Sequence, residues 1–262
     1  MVEQQRKIGA DEHSRRPADE RPYSRRLNID WHDHDESHRR LICEFIGTFG
    51  LMFVLSAGAA IFARYAQPKV SNLSFVVILS AVAALWLVAA IYAFGDISAH
   101  FNPAITLAFV LLRMMTWSRA VHYWIAQCGA ACGAALLARN WFGAQGALAA
   151  AIPASGAIWQ TIGFEAIVTG GFVLLVLSTT QGPKVNGPFT ALSVAAYVMS
   201  LAIVGGLYDG APMNPARALG PDVALGRIDW WWPMACGEIL GTLLAVALGV
   251  ALRSPARFER GR

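Results

Sequence analysis

Charge is scarce in this 262-residue chain: 15% of its residues are charged and 56% are apolar. A soluble globule usually carries ~25% charged residues, and the mean hydropathy of +0.45 excludes a water-exposed surface over most of the length. Cysteine is sparse too. Cys43, Cys128, Cys132 and Cys236 form no Cys-x-x-Cys pair, which excludes a zinc knuckle and a disulfide framework. All four fall in apolar runs and read as small buried hydrophobes. No nucleophile–base pair, metal-ligand cluster or phosphate-binding loop stands out in the apolar body. Neither an enzyme nor a resident cofactor or metal is expected. The formal net charge of +4 identifies no partner, because charge location matters more than its sum, and no nucleic-acid partner is expected.

What is present is apolar and segmented. Six runs, about Leu41–Ala63, Leu73–Phe94, Ser118–Ala138, Ile158–Thr179, Phe189–Leu207 and Trp231–Leu252, approach the ~20 residues that a helix needs to cross a bilayer. Their polar content is mostly Gly, Ser and Thr, as close helix packing in lipid requires. Residues Met1–Arg40 are polar, of mixed charge and without an apolar periodic face, so a disordered tail is expected. Its Trp31–His38 stretch holds metal-ligating residue types, but a solvated mixed-charge tail is the favoured reading. The tail is too long and acidic for a secretory signal, and Glu44 interrupts the next segment, so Leu41–Ala63 reads as a retained span. Residues 253–262 form a basic tail. Arg39, Arg40, Arg113, Arg119, Lys184 and the C-terminal arginines would share one side of the membrane. Arg64, Lys69, Arg139 and Arg227 lie on the other, a bias that favours cytoplasmic termini.

Two tripeptides interrupt this pattern: Asn102-Pro103-Ala104 and Asn214-Pro215-Ala216. Asn is a preferred helix N-cap and Pro is favoured at the first helical position, so each tripeptide starts a helix. The runs that follow, Ile105–Leu112 and Arg217–Leu225, are too short to span. Two half-helices beginning at membrane depth would aim two positive dipole ends at the midplane. The chain also repeats. Glu44-x-x-x-Thr48 returns as Glu165-x-x-x-Thr169 at an offset of 165 − 44 = 121, and the two Asn are offset by 214 − 102 = 112. Gln127 corresponds to Glu238, 111 residues on. Each half, about 41–138 and 158–252, then holds three spans and a half-helix. An odd number of spans forces the halves into opposite orientations, and such inverted repeats place their polar site at the midplane. The expected fold is an all-α membrane protein with six transmembrane helices and two re-entrant half-helices.

With Gly95–Thr106 in one half and Gly210–Pro221 in the other, the chain resembles the aquaporin and glycerol-facilitator family, the major intrinsic proteins. The resemblance covers about 41–252 and implies a channel domain, usually assembled as a homotetramer with one pore per subunit. The expected location is the plasma (cell inner) membrane. An N-capping Asn spends its side-chain oxygen on its own helix and keeps its NH2 as a donor. Asn102 and Asn214 would therefore orient a passing water by its oxygen and interrupt a proton-conducting chain. The two helix dipoles oppose a cation at the same point, which is the barrier described for aquaporin-type pores. Arg217 is too costly to leave in hydrocarbon, at ~2.5 kcal/mol or more, and the resemblance places it at the outer constriction. The implied partners are water, small neutral solutes and lipid.

The remaining constriction residues depart from the water-selective pattern. Ala202 stands where water-selective relatives usually carry His, and Ala211 where glycerol channels carry an aromatic residue. The span-two member is Ala83 or Val82, depending on a one-residue gap near Ser98. These small side chains predict a wide opening, with Trp86, one turn away, as the group that would narrow it. Asp usually follows the Arg in glycerol channels, and here Ala218 does. The resemblance makes Glu44 and Glu165 scaffolds for the re-entrant loops, with His100 and Gln127 bracing them; proton relay by the carboxylates is the sharper alternative. Glu238 replaces a usual Pro. The expected function is passive conduction of water and small uncharged solutes. A proton-coupled transporter using Glu44, Glu165 and Glu238, or a non-conducting scaffold, are the alternatives.

Overall fold

A computed structural model describes residues 37–66, 69, 71–153, 157–180 and 189–252. The tail before Ser37, with most of the His-rich stretch, the basic tail 253–262 and Lys184 lie outside the described residues. All regular structure among the described residues is helical. Six long helices are α1 (Ser37–Tyr65), α2 (Asn72–Phe94), α4 (Trp117–Phe142), α5 (Ile158–Thr180), α6 (Phe189–Gly205) and α8 (Trp231–Leu252); two short ones are α3 (Pro103–Leu111) and α7 (Pro215–Leu225). Helix α1 starts at Ser37, so Arg39 and Arg40, which the sequence assigns to the tail, belong to its first turn, with Arg40 buried. Five helices are long and apolar enough to cross a membrane; α6, with 17 residues, is shorter.

Local chemistry sets several starts. Ser71 caps α2 by accepting from Ser74 N at 3.1 Å, and Thr116 caps α4 by accepting from Arg119 N at 3.3 Å. Such caps satisfy one of the orphan donors of a helix end and contribute ~1 kcal/mol each. The packing is mirrored. First and third spans of each half pair with each other, α1 on α4 and α5 on α8, while α2 and α6 meet across the centre. Half-helix α7 lies on α4 and half-helix α3 on α8, each against the third span of the opposite half. Backbones approach closely at α5 and α8, where a Cβ built on Gly241 would sit 2.3 Å from Ala166 O. Small residues at such crossings let helices associate in lipid, where no hydrophobic force separates helix from solvent.

The connection after α4 folds back over the bundle. Gly146, Ala147, Leu148 and Ala149 all have positive φ. Three of them carry a Cβ, and the left-handed region costs ~1–2 kcal/mol per such residue. Burial of Leu148 and a hydrogen bond from Ser56 Oγ to Leu148 O at 2.9 Å offset that strain. This segment lies against α1.

Candidate pore

Both Asn-Pro-Ala tripeptides start helices, as their composition predicts. Asn102 caps α3 through Ala104 N (2.8 Å), and Asn214 caps α7 through Ala216 N (3.1 Å) and Arg217 N (3.3 Å). Pro103 and Pro215 occupy the first turns, and Ala104 and Ala216 are fully packed. Each Asn then reaches the other loop. Asn102 Nδ2 donates to Met213 O at 2.7 Å, and Asn214 Nδ2 donates to Phe101 O at 2.8 Å. Phe101 and Met213 both adopt positive φ, 51° and 50°. That conformation turns their carbonyls toward the opposite half.

Buried carboxylates hold the loops from behind. Glu44 accepts Ser98 Oγ (2.6 Å) and His100 N (2.7 Å) on Oε1. On Oε2 it accepts Phe101 N (2.7 Å) and Gln127 Nε2 (2.8 Å). Gln127 Nε2 also donates to Thr106 Oγ1 at 3.1 Å, which sits 3.1 Å from His100 Nδ1. In the second half Glu165 accepts Met213 N at 3.1 Å, and Glu238 accepts Asn214 N. A carboxylate that receives this many donors is committed to structure.

A cavity of about 220 Å³ runs along the two Asn residues. His100, Arg217, Ala83, Ala202 and Ala211 line it, as does the folded-back segment from Gly146 to Ala150. Val82 is half-buried and is not among the lining residues. Trp86 is not among them either. Its indole Nε1 donates to Gly47 O at 2.9 Å, and a Cβ on Gly50 would fall 1.9 Å from its ring. The ring fills a notch in α1, so the group that could have narrowed the wide opening is held away from the cavity. Arg217 Nη2 reaches Gly210 O at 3.5 Å. Ala211, at φ 38°, donates its N–H to Asp209 Oδ1 at 2.9 Å, and Asp209 O accepts from Ile152 N at 3.0 Å. Burial pushes the Asp209 carboxyl up to about 6, against the opposing pull of Ala211 N–H and Arg217.

Some positioning residues leave no sequence signal. Trp124 Nε1 donates to Pro103 O at 3.2 Å, and Trp231 Nε1 to Pro215 O at 2.9 Å. Both indoles take up a carbonyl beside an N-cap, yet Trp124 stands three residues before Gln127 and Trp231 seven before Glu238, so the repeat does not reveal them. Asp209 and the Gly146–Ala150 segment are likewise invisible to motif or spacing.

The profile of the major intrinsic proteins matches residues 32–248. The chain belongs to that family, whose members are membrane channels and not enzymes. It is 32% identical over 206 residues to aquaporin NIP2-1 of Oryza sativa subsp. japonica, covering 78% of this chain and 67% of that protein. It is 28% identical over 218 residues to probable aquaporin TIP1-2 of the same plant, covering 82% and 86%. The crystal structure of an aquaglyceroporin from Plasmodium falciparum superposes with a TM-score of 0.66 at 21% identity, over 82% of this chain and 97% of that one. That likeness fixes the fold: six long helices and two half-helices in an inverted repeat, in a multi-pass membrane protein.

Proposed function

We propose that this protein conducts water and small uncharged solutes passively and holds back protons and ions at two points. The first is the midplane, where Asn102 and Asn214 cap opposed half-helices. The second is the outer constriction of Arg217, Ala202, Ala211 and Ala83. The observation that carries this reading is the double engagement of each Asn on the cavity wall. Its oxygen is held by its own helix and one amide hydrogen by the opposite loop. The second amide hydrogen is left to a passing solute. A solute oxygen so oriented cannot relay a proton, and the two helix N-termini disfavour a cation.

A cavity of about 220 Å³ has room for a solute with a few carbon atoms. The Ala residues meet such carbons without leaving polar groups unpaired. A homotetramer and a plasma-membrane location belong to the same reading of the channel domain 41–252, and the Lys/Arg bias between the loops supports cytoplasmic termini. Stopped-flow light scattering on proteoliposomes with water, glycerol and urea tests the reading. Flux that responds to an imposed pH gradient would support a coupled transporter instead, and no flux above empty liposomes would support a scaffold.

A further inference from the structure

The two halves brace their Asn residues with different chemistry. Glu44 has a donor on each side of both oxygens: Ser98, His100, Phe101 and Gln127. At the offset of 112 that relates the tripeptides, the residues mirroring Ser98 and His100 are Gly210 and Pro212. Glycine has no hydroxyl and proline has no N–H. Glu165 therefore keeps Met213 N alone on Oε2, and its Oε1 is buried with no hydrogen-bond partner. Gln127 is mirrored by Glu238, whose Oε1 accepts Asn214 N and whose Oε2 is also buried with no partner. The two acceptors serve consecutive peptide N–H groups, Met213 and Asn214, so the two carboxyl groups brace one stretch of loop. Each is fully buried, and each has one oxygen without a donor.

Two ionised carboxylates confined to one buried site repel, and such pairs retain a proton between them. An un-ionised carboxyl has the shape of a Gln side chain and offers one donor. We propose that Glu165 and Glu238 share a single proton, so that Glu238 does for Glu165 what Gln127 does for Glu44. Glu238 is then a positioning residue for Asn214. The charged groups around the pair fit this count. Among the described residues, Arg217 on α7 is the cation that acts on both carboxyls, with Asp209 on the preceding loop opposing it, and Asp222 on the same half-helix acts on Arg217. Half-helix α3, which also packs on α8, has no titratable residue. Asp229, in the turn before α8, is exposed and lies 3.7 Å from Arg227. With the proton in place each half braces its Asn with one negative charge. Without it, a second charge sits behind Asn214, at the helix end where proton exclusion needs positive potential.

A free Glu is ionised at neutral pH, so the native state holds one proton that the unfolded chain lacks. Stability must then fall as the pH rises from the range of a free Glu up to the point of release, and level off beyond it. Infrared spectra and thermal unfolding of the full chain test this. Wild type should show the carbonyl stretch of an un-ionised carboxyl at neutral pH, and Glu238→Gln and Glu165→Gln should each remove it. Between the range of a free Glu and release, the Tm of wild type should drop by about 3–5 °C per pH unit, a slope that both variants lose. Water flux in proteoliposomes should decline in wild type as the pH rises through release and stay level in Glu238→Gln. An identical carboxyl band and pH slope in wild type and Glu238→Gln would overturn the proposal. If Glu238→Gln does not fold, the wild-type spectrum decides alone, because absence of an un-ionised carboxyl at neutral pH overturns it equally. The flux arm rests on the channel reading; a protein that conducts nothing fails that arm and leaves the infrared and unfolding arms standing.

Discussion

Asn102 and Asn214 fasten each other's loops: each amide donates to the carbonyl just before the other, Asn102 to Met213 and Asn214 to Phe101. The link ties the halves at the point where both half-helices begin. It also fixes each amide plane, so the remaining N–H has one direction. Asn214→Asp keeps an oxygen for the cap but places a carboxylate against Phe101 O, where a donor stood. A buried carbonyl left unpaired costs ~1–3 kcal/mol, before any repulsion is counted. The variant is expected to lose that stability and most water flux together. Thermal unfolding and stopped-flow scattering on the same preparation check it; a fully stable variant with normal water flux and normal proton exclusion would remove Asn214 from the barrier.

Arg217 lines the cavity next to Ala211, with Nη2 turned toward Gly210 O. Arg217→Ala removes a fixed positive charge and opens space at the same place. The expected result is a faster collapse of an imposed pH gradient, with neutral-solute flux retained or raised. An unchanged proton leak would mean that the half-helices alone exclude ions.

The spans, the inverted repeat and the two helix starts were legible in the sequence because each follows from a local rule: apolar length, odd span count, and Asn-Pro at a helix N-terminus. Glu44, Glu165, His100 and Gln127 were named through the resemblance; Glu44 and Glu165 accept loop N–H groups, and His100 Nδ1 and Gln127 Nε2 meet at Thr106 Oγ1. The alternatives left open at span two needed three dimensions. Ala83 and Val82 are neighbours on one helix, and only packing shows Ala83 at the cavity. Trp86 misled for the same reason. Helical spacing put it on the cavity side, but the notch at Gly47 and Gly50 on α1 captures its ring. The positive φ of Phe101 and Met213 had no signal, since neither is a residue that favours it.

Trp86→Ala should accordingly act on stability and not on selectivity. It empties the notch on α1 and removes the second donor to Gly47 O, which keeps its helical partner. Trp86 is partly buried, so a loss below the ~3–5 kcal/mol of a fully buried Phe/Trp→Ala change is expected in unfolding experiments. The ratio of glycerol to water flux should stay at the wild-type value. A changed ratio would put the ring at the cavity wall.

Asp209 gives a second, acid-side pH dependence. Burial holds its carboxyl at about 6 in the folded chain, above the ~3.9 of a free Asp. The folded state therefore takes up this proton at a higher pH than the unfolded chain. The group favours folding most at low pH, and that advantage is lost as pH rises through about 6. Asp209→Asn mimics the neutral form and keeps an oxygen for Ala211 N. It is expected to exceed wild type in Tm at neutral pH, with the gap closing as the pH is lowered below 6. A gap that is constant with pH, or of the opposite sign, would show that Asp209 is held ionised by Arg217.

Selectivity follows from side-chain volume around Arg217. Ala83, Ala202 and Ala211 share the cavity wall with it, and Trp86 is committed elsewhere, so these three positions carry no His or aromatic group. Glycerol or urea flux is expected alongside water flux. Ala202→His adds an imidazole across from Arg217, narrows the opening and supplies a polar edge that water meets more easily than a carbon chain does. It should lower glycerol flux more than water flux, and the ratio of the two rates measured on one preparation is the readout. Equal loss of both rates would indicate a general block. A wild-type protein that passes water yet excludes every neutral solute tested would place the narrowest point elsewhere, and the Gly146–Ala150 segment over the outer cavity would be the next place to cut back.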